Sequence, residues 1–459
     1  MLGVIQMNQG NPLGYEKISK LLKGFAIPSI VAMLVSSLYN IVDQIFIGHG
    51  VGYLGNAATN VSYPLTTICL AIALLIGVGS AARFSLYLGR KEEEEAAKVV
   101  GNGVCMMFIF GILYLAMILL FLKPMLLAFG GTPDVMPYAL SYTRITAFGM
   151  PLQIVTTAMS HMTRADGSPK YSMTSMIIGA VINTILDPIF IFVFKMGVAG
   201  AAIATVAGQF CSFVYALRYL KQFKSVKLRK EHFRFSFRQS LTTASMGISN
   251  SMNQMTITLV QIVLNNSLTH YGALSIYGSD IPLAANGIVM KTNGILMAFL
   301  IGLVQGMQPI VGYNYGAKQY DRVRATYKLA VCTSLCMSSI AFVLFQFFPR
   351  TVLSIFGDGE ALYFEFATRF MRIFLLMVMA NGVQMLSANL FSAIGQPMKG
   401  LFLTLTRQVI FLIPLMLVLP RFFGIDGVLF SAPAADTLAI IVTTIFVYGE
   451  LKKMKKLAD

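Results

Sequence analysis

The chain has 459 residues, 56% hydrophobic and 12% charged, with a mean hydropathy of +0.71 and a formal net charge of +16. So apolar a composition excludes a soluble globular protein, and too little polar sequence remains between the apolar runs for a sizeable soluble domain. The basic residues cluster in alternate loops, which points to orientation in a membrane rather than to nucleic acid.

Apolar stretches of spanning length run near residues 24–48, 57–82, 99–122, 139–163, 171–194, 199–217, 241–266, 282–311, 329–348, 362–392, 400–419 and 425–449. That makes twelve spans by the usual length of about 20 residues. Residues 1–23 are polar and lysine-bearing, without the apolar core and cleavage site of a signal peptide, so span one is expected to be retained. Span one, GFAIPSIVAMLVSSLYNIVDQIFIG, holds Asp43, the only charged side chain between Lys23 and Arg83. A carboxylate there costs about 2.5 kcal/mol or more to insert, so it is rare, usually faces a polar cavity and suggests proton or ion handling.

Span two ends in IGVGSAAR, a glycine-rich string with no strand before it, which reads as helix packing rather than a dinucleotide loop. The run Glu92 to Glu95 that follows reads as a solvated face, with Glu94 spaced one turn from Lys98. Span five carries NTILDPIFIF, in which Asn183 sits one turn from Asp187 and Pro188 deprives a carbonyl near residue 184 of its donor. Span six contributes Thr205. Span seven is rich in Asn, Gln, Ser and Thr yet has no acid, span eleven holds Arg407, and span twelve holds Asp436.

Counting about 1.5 Å per residue, Asp43 lies roughly 30 Å above Lys23, Asp187 roughly 25 Å above Lys170, and Thr205 roughly 10 Å below the outer loop. The three share one level. Two carboxylates, an amide oxygen, a hydroxyl and a loose carbonyl could ligate Na⁺, while the same acid pair could carry a proton; the residues leave both open. Asn183 and Thr205 alone could equally serve interhelical hydrogen bonding. Arg407 and Asp436 reach levels close enough to pair, and a buried structural pair is preferred over a role in substrate binding.

The remaining chemistry is sparse. The five cysteines all lie in spans, which argues against a disulfide framework, and Cys332 with Cys336 is expected to be a pair of small buried residues. The four histidines are scattered without metal-ligand spacing, and no Walker motif points to ATP.

A shift of 227 or 228 residues superposes Gly79 on Gly306, Gly89 on Gly316, Lys91 on Lys318, Arg144 on Arg372, the turn Ala165–Pro169 on Ala393–Pro397, and Gly197–Gly200 on Gly424–Gly427. The expected architecture is an all-α integral membrane protein of twelve helices in two six-helix lobes related by a parallel repeat, residues 1–217 and 239–459, joined by a basic cytoplasmic linker at 218–238. Both termini are expected in the cytoplasm, where the lysines and arginines concentrate. Such halves enclose a substrate cavity and alternate its access by rocking.

YNIVDQIFIG in span one, LGRKEEEEA after span two, RADGSP after span four, NTILDPIFIF in span five, GVAGAAIAT entering span six and SAIGQP in the second half occur in an order that resembles the multidrug and toxic compound extrusion (MATE) family, and within it the MepA-like bacterial branch. The resemblance implies a monomeric plasma-membrane antiporter, not an enzyme. It would export organic, often cationic and lipophilic compounds against Na⁺ or H⁺, with no cofactor beyond that ion and no nucleic acid. It further implies that Asp43 is the coupling carboxylate, that Asn183, Asp187 and Thr205 complete the cation site, and that Tyr39 and Asn40 support it. Members of another branch carry acids in helices seven and ten; span seven here has none, and Asn381 stands at the comparable place in span ten. Ser160 and His161 stand where an Asn is often found in helix four. A flippase for lipid-linked substrates is the alternative within transporters.

Overall fold

Lysine and proline punctuate a chain that is otherwise helix. A computed structural model describes residues 11–355 and 361–458, leaving aside the side chains of Tyr53 and Ala458, so the first ten residues of the expected N-terminal lobe lie outside the described residues. The described chain makes twelve helical passes. In the first half these are α1 (Ile18–Val51), α2 (Tyr53–Gly89), α3 (Glu93–Ala128), α4 (Met136–Ala165), α5 (Pro169–Val193) and α6 (Gly197–Arg218). In the second they are α7 (Phe237–Ala273), α8 (Asp280–Gly316), α9 (Tyr320–Phe347), α10 (Ala361–Phe374 and Val378–Ala393, bent by 45°), α11 (Pro397–Phe423) and α12 (Ile425–Ala458).

Among the described residues, ten passes are long and apolar enough to cross a membrane, counting the bent α10 as one. The other two, α4 and α7, are long enough but more polar. Many of their polar residues face protein: Thr143, Ser160, His161 and Arg164 of α4 are buried, as are Ser240, Thr243, Ser249 and Ser251 of α7. A helix surrounded by other helices can carry such groups because its neighbours satisfy them, as when Ser62 and Thr143 hydroxyls meet at 2.7 Å.

Each half packs around its own apolar core. Ile76, Phe84, Met106, Met107, Ile118 and Met159 centre the first, while Leu268, Val289, Phe366, Phe370 and Val428 centre the second. The offset seen in the sequence is written into the backbone. Lys91 and Lys318 end α2 and α8 with φ of 63° and 59°, a left-handed conformation that a lysine rarely adopts. Gly167 and Gly395, in the matched turns after α4 and α10, have φ of 79° and 82°.

The halves meet at the end of the molecule that carries the basic loops. There Leu21, Leu22, Phe25 and Ala26 of α1 pack with Leu303, Val304, Met307 and Ile310 of α8. Gly306 lets α8 touch the Ala26 backbone, and its repeat mate Gly79 lets α2 touch the Thr243 carbonyl of α7; a Cβ at either would collide with backbone. Gly89 and Gly316 cross in the same reciprocal way, against Tyr313 and Leu86. Arg83, at the end of IGVGSAAR, fastens α7 by donating to Gln239 O and Thr243 Oγ1, both at 2.9 Å.

Two local expectations fail. Lys98 pairs with Glu95 at 2.7 Å rather than with Glu94, because Glu94 is drawn 3.0 Å from His232 Nε2 of the connecting segment. Cys332 and Cys336 do share a face of α9, but it is the exposed one; the buried face is lined instead by Thr326, Ala330, Ser334 and Ser338.

Candidate cation and substrate site

Away from the basic end, α1, α5 and α6 converge on a polar cluster. The 3.6-residue period puts Asn183 directly under Asp187 on α5, and the two side chains are 2% and 0% exposed. Oriented to satisfy both neighbours, the Asn183 amide donates to Asp187 Oδ2 at 3.1 Å and turns its oxygen to Thr205, whose Oγ1 is 3.3 Å away. Asp43 enters from α1, 8% exposed, with its carboxyl in hydrogen-bonding range of Asp187 and beside Gln44. Asp43 Oδ1 is buried with no hydrogen-bond partner. Past Pro188 the helix loosens into a single π turn, Ile189–Val193, that carries the chain away from the acids.

Tyr39 of α1 and Tyr142 of α4 stand within electrostatic reach of both acids, and the Tyr142 hydroxyl meets Thr205. One turn beyond each polar residue lies an apolar one: Ile47 after Asp43, Ile191 after Asp187, and Ala201 before Thr205. With Val198, Tyr138 and Tyr142 these pack into a plug on the side away from the basic end. No basic side chain pairs with either acid among the described residues, nor do three His, Cys, Asp or Glu gather as a metal site. Two facing carboxylates without a counter-charge attract one positive charge, and the amide and hydroxyl oxygens add the hard ligands that Na⁺ prefers.

Asn40 is not part of this cluster. Asn40 lies about 60° around α1 from Asp43, on the side opposite to Tyr39, and is exposed there, its Nδ2 donating to Ser36 O at 2.7 Å rather than to either acid. That face borders a cleft of about 530 Å³ between the halves, walled by Asn40, Gln44 and Gly48 of α1, Asn56 of α2 and Lys291 of α8. Ser160 and His161 are buried near the basic end of α4, roughly 27 Å along the helix from Tyr142, so α4 contributes Tyr142 to the cluster and not those two.

The second half has a different polar centre. Arg407 Nε donates to Asp436 Oδ1 at 2.6 Å, in a pair whose acid is buried. Arg407 lies on a π stretch, Thr406–Leu412, and its neighbour Gln408 donates to Asn253 Oδ1 of α7 at 2.8 Å. Asn381 of α10 buries an unpartnered Oδ1.

The MatE family model matches residues 28–189 and again 251–418, once in each half and together most of the chain. The chain belongs to the MATE family. Curated MATE relatives include the multidrug export proteins MepA of Staphylococcus saprophyticus, 23% identical over 444 residues, and of Staphylococcus aureus (strain NCTC 8325), 24% identical over 448 residues. Each alignment covers 95% of both chains. A solved structure described as the outward-facing conformation of a multidrug resistance MATE family transporter superposes with a TM-score of 0.90 at 20% identity, covering 98% of this chain and 99% of the other. As a MATE protein the chain is a multi-pass membrane transporter of twelve helices in two lobes, not an enzyme.

Sequence reasoning overlooked Gln44, Tyr142 and Lys291. The repeated tyrosines at 138 and 142 signal one helix face, and Lys291 is the only charge in α8 after Asp280.

Proposed function

We propose that the protein is a secondary active antiporter of the plasma membrane that exports cationic, lipophilic compounds, drugs among them, in exchange for Na⁺ or H⁺. The observation that carries this reading is the facing pair Asp43 and Asp187, buried in one lobe without a basic partner among the described residues. Such a pair takes up one cation, and in a cleft between two lobes that cation competes with a positively charged cargo for the same field. Asn183 and Thr205 supply further oxygens; Tyr39 and Tyr142 hold the approach. No cofactor beyond the coupling ion is required, and a single chain contains both lobes, so a monomer suffices.

Helix α1 is the transmission in this mechanism. Its Phe25 and Ala26 are buried against the second lobe, whereas its Asp43 and Ile47 are buried in the first. A cation neutralising the acids changes how the far half of α1 packs, and Pro28 gives the helix a place to bend between the two contacts. The lobes touch along the basic half and border a cleft beyond it, an arrangement that suits release of cargo on the side opposite the basic loops. By the excess of lysine and arginine, that basic side, with both termini, is the cytoplasm. A lipid-linked-substrate flippase is not favoured, since the relatives are multidrug exporters.

The test is flux in proteoliposomes with separately imposed Na⁺ and H⁺ gradients and a cationic dye as cargo. Asp43→Asn should abolish gradient-driven efflux while leaving membrane insertion intact, and unchanged transport by that variant would refute the coupling assignment.

A further inference from the structure

The segment that joins the lobes carries a surface that the coupling mechanism does not use. Between residues 221 and 238 seven lysines and arginines are exposed against a single acid, Glu231, which Arg229 already pairs at 3.2 Å. Among the last of these cations stand Phe235 and Phe237, with Leu241 one turn beyond on α7; all three are exposed, Phe237 by 76%. Large apolar side chains grouped in a strongly basic stretch mark a contact surface rather than a solvated loop.

The contacts of this segment fix its depth. His232 is buried against α3, its Nε2 3.0 Å from Glu94 and its carbonyl so near Gly101 that a Cβ there would stand 2.1 Å from the oxygen. Four residues on, Ser236 N donates to Asn102 Oδ1 at 2.8 Å, and the Asn102 amide donates in turn to Ser240 Oγ at 3.2 Å. Glu94 belongs to the first turn of α3, and Asn102 lies roughly 12 Å farther along it, just inside the apolar run that begins at Val99. The chain therefore climbs from the water-facing end of α3 to the edge of its apolar stretch, the level of lipid headgroups. Arg234 falls between the two anchor points and Arg238 just past the second, while Glu92 to Glu95 stay behind at the lower end. Neither guanidinium has an ion pair or a protein hydrogen bond among the described residues.

We infer that Arg234 and Arg238, with Phe235 and Phe237, form a binding surface for an anionic phospholipid of the leaflet at the basic end of the molecule. A guanidinium at that level meets phosphate oxygens, and its planar fork takes two of them at once. The phenyl rings rest among the first carbons of the acyl chains, beside the lipid-facing Leu241. A zwitterionic headgroup brings its own ammonium to offset the attraction, and an anionic one does not, so the surface selects by charge. The inference requires only that the chain sits in a membrane, and stands apart from ion coupling.

The experiment uses the full chain in neutral detergent with equal amounts of phosphatidylglycerol and phosphatidylcholine of the same acyl chains, the first bound lipid being read by native mass spectrometry. Wild type should favour phosphatidylglycerol. An arginine near an anionic headgroup is worth about fivefold in affinity, so Arg234→Gln and Arg238→Gln should each lower the preference about fivefold and together bring it near unity. Phe237→Ser should weaken both lipids alike. Lys452→Gln, Lys453→Gln, Lys455→Gln and Lys456→Gln together, which remove an exposed basic group outside this surface, should leave the preference in place. Since both arginines are exposed and free of protein partners, thermal unfolding without added lipid should be unchanged by their substitution. No preference in wild type, a preference that survives the double arginine variant, or one that vanishes with the C-terminal lysines instead overturns the surface. Displacement of the lipid by inorganic phosphate at equal concentration would make this a free-anion site and overturn the assignment to lipid.

Discussion

The two lobes solve the same problem, a buried carboxylate, in opposite ways. In the second lobe Asp436 has Arg407 at 2.6 Å, a counter-charge supplied by the chain itself. In the first lobe Asp43 and Asp187 have only each other, an amide, hydroxyls and a plug of aliphatic side chains. A tethered guanidinium makes a charge centre that is complete at all times; a pair of acids makes one that is complete only when something mobile arrives. Duplication of one plan has thus left one lobe with a charge centre closed by the chain and the other with one left open, the asymmetry on which the proposed antiport rests.

The most drastic way to break this contrast is to give the first lobe its own cation. Asn183→Lys, one turn from Asp187, should neutralise the pair permanently and abolish ion-driven flux, with the purified protein still folded by circular dichroism. Flux that survives and still responds to the gradient would show that the acids are not the coupling centre. Breaking the other lobe should act on stability instead. Asp436→Asn leaves Arg407 without its buried partner and should cost about 3–5 kcal/mol, whereas Arg407→Met with Asp436→Leu should recover most of that loss and keep ion coupling. Thermal unfolding in detergent measures both, and a double variant that folds well but no longer couples would move ion handling into the second lobe.

The interface offers a milder test of symmetry. Gly79→Val and Gly306→Val each drive side-chain carbons into the partner helix backbone and should destabilise the closed basic end by about 1–3 kcal/mol, with parallel reductions in flux. Strongly unequal effects would mean that the two repeat-related contacts do not share the load. The smallest expected change is Tyr142→Phe, which removes a hydroxyl at Thr205 and should weaken coupling-ion affinity only severalfold, in line with a hydrogen bond worth about 1 kcal/mol. An ion titration of dye flux would register it.

What could be read without coordinates followed the cost of the residue. Asp43 and Asp187 announce themselves because a membrane seldom tolerates an acid, and helical rise was enough to bring them to one level. Tyr142 carries no such cost, so nothing in the string separates it from packing tyrosines. Asn40 illustrates the limit of proximity along a helix: it neighbours Tyr39 in sequence, yet the intervening rotation delivers it to the cleft and leaves the acids to Tyr39. Spacing likewise put Cys332 and Cys336 on one face but could not say which face looks inward, because a cysteine is small enough for either. Glu94 had a helical partner in range, and a histidine more than a hundred residues away displaced it.

That histidine belongs to a segment whose anchoring has a mechanical meaning. Asp166 accepts from Tyr219, Lys224 and Ser225 at 2.7–2.9 Å, Glu94 meets His232, and Asn102 accepts from Ser236 N at 2.8 Å. The basic connection is therefore not a slack tether between the halves but a strap buckled along its length to the first of them. If the halves rock as proposed, the motion would be absorbed where the strap runs out, in the first turns of α7 beside Arg83, and the leash would contribute no freedom of its own.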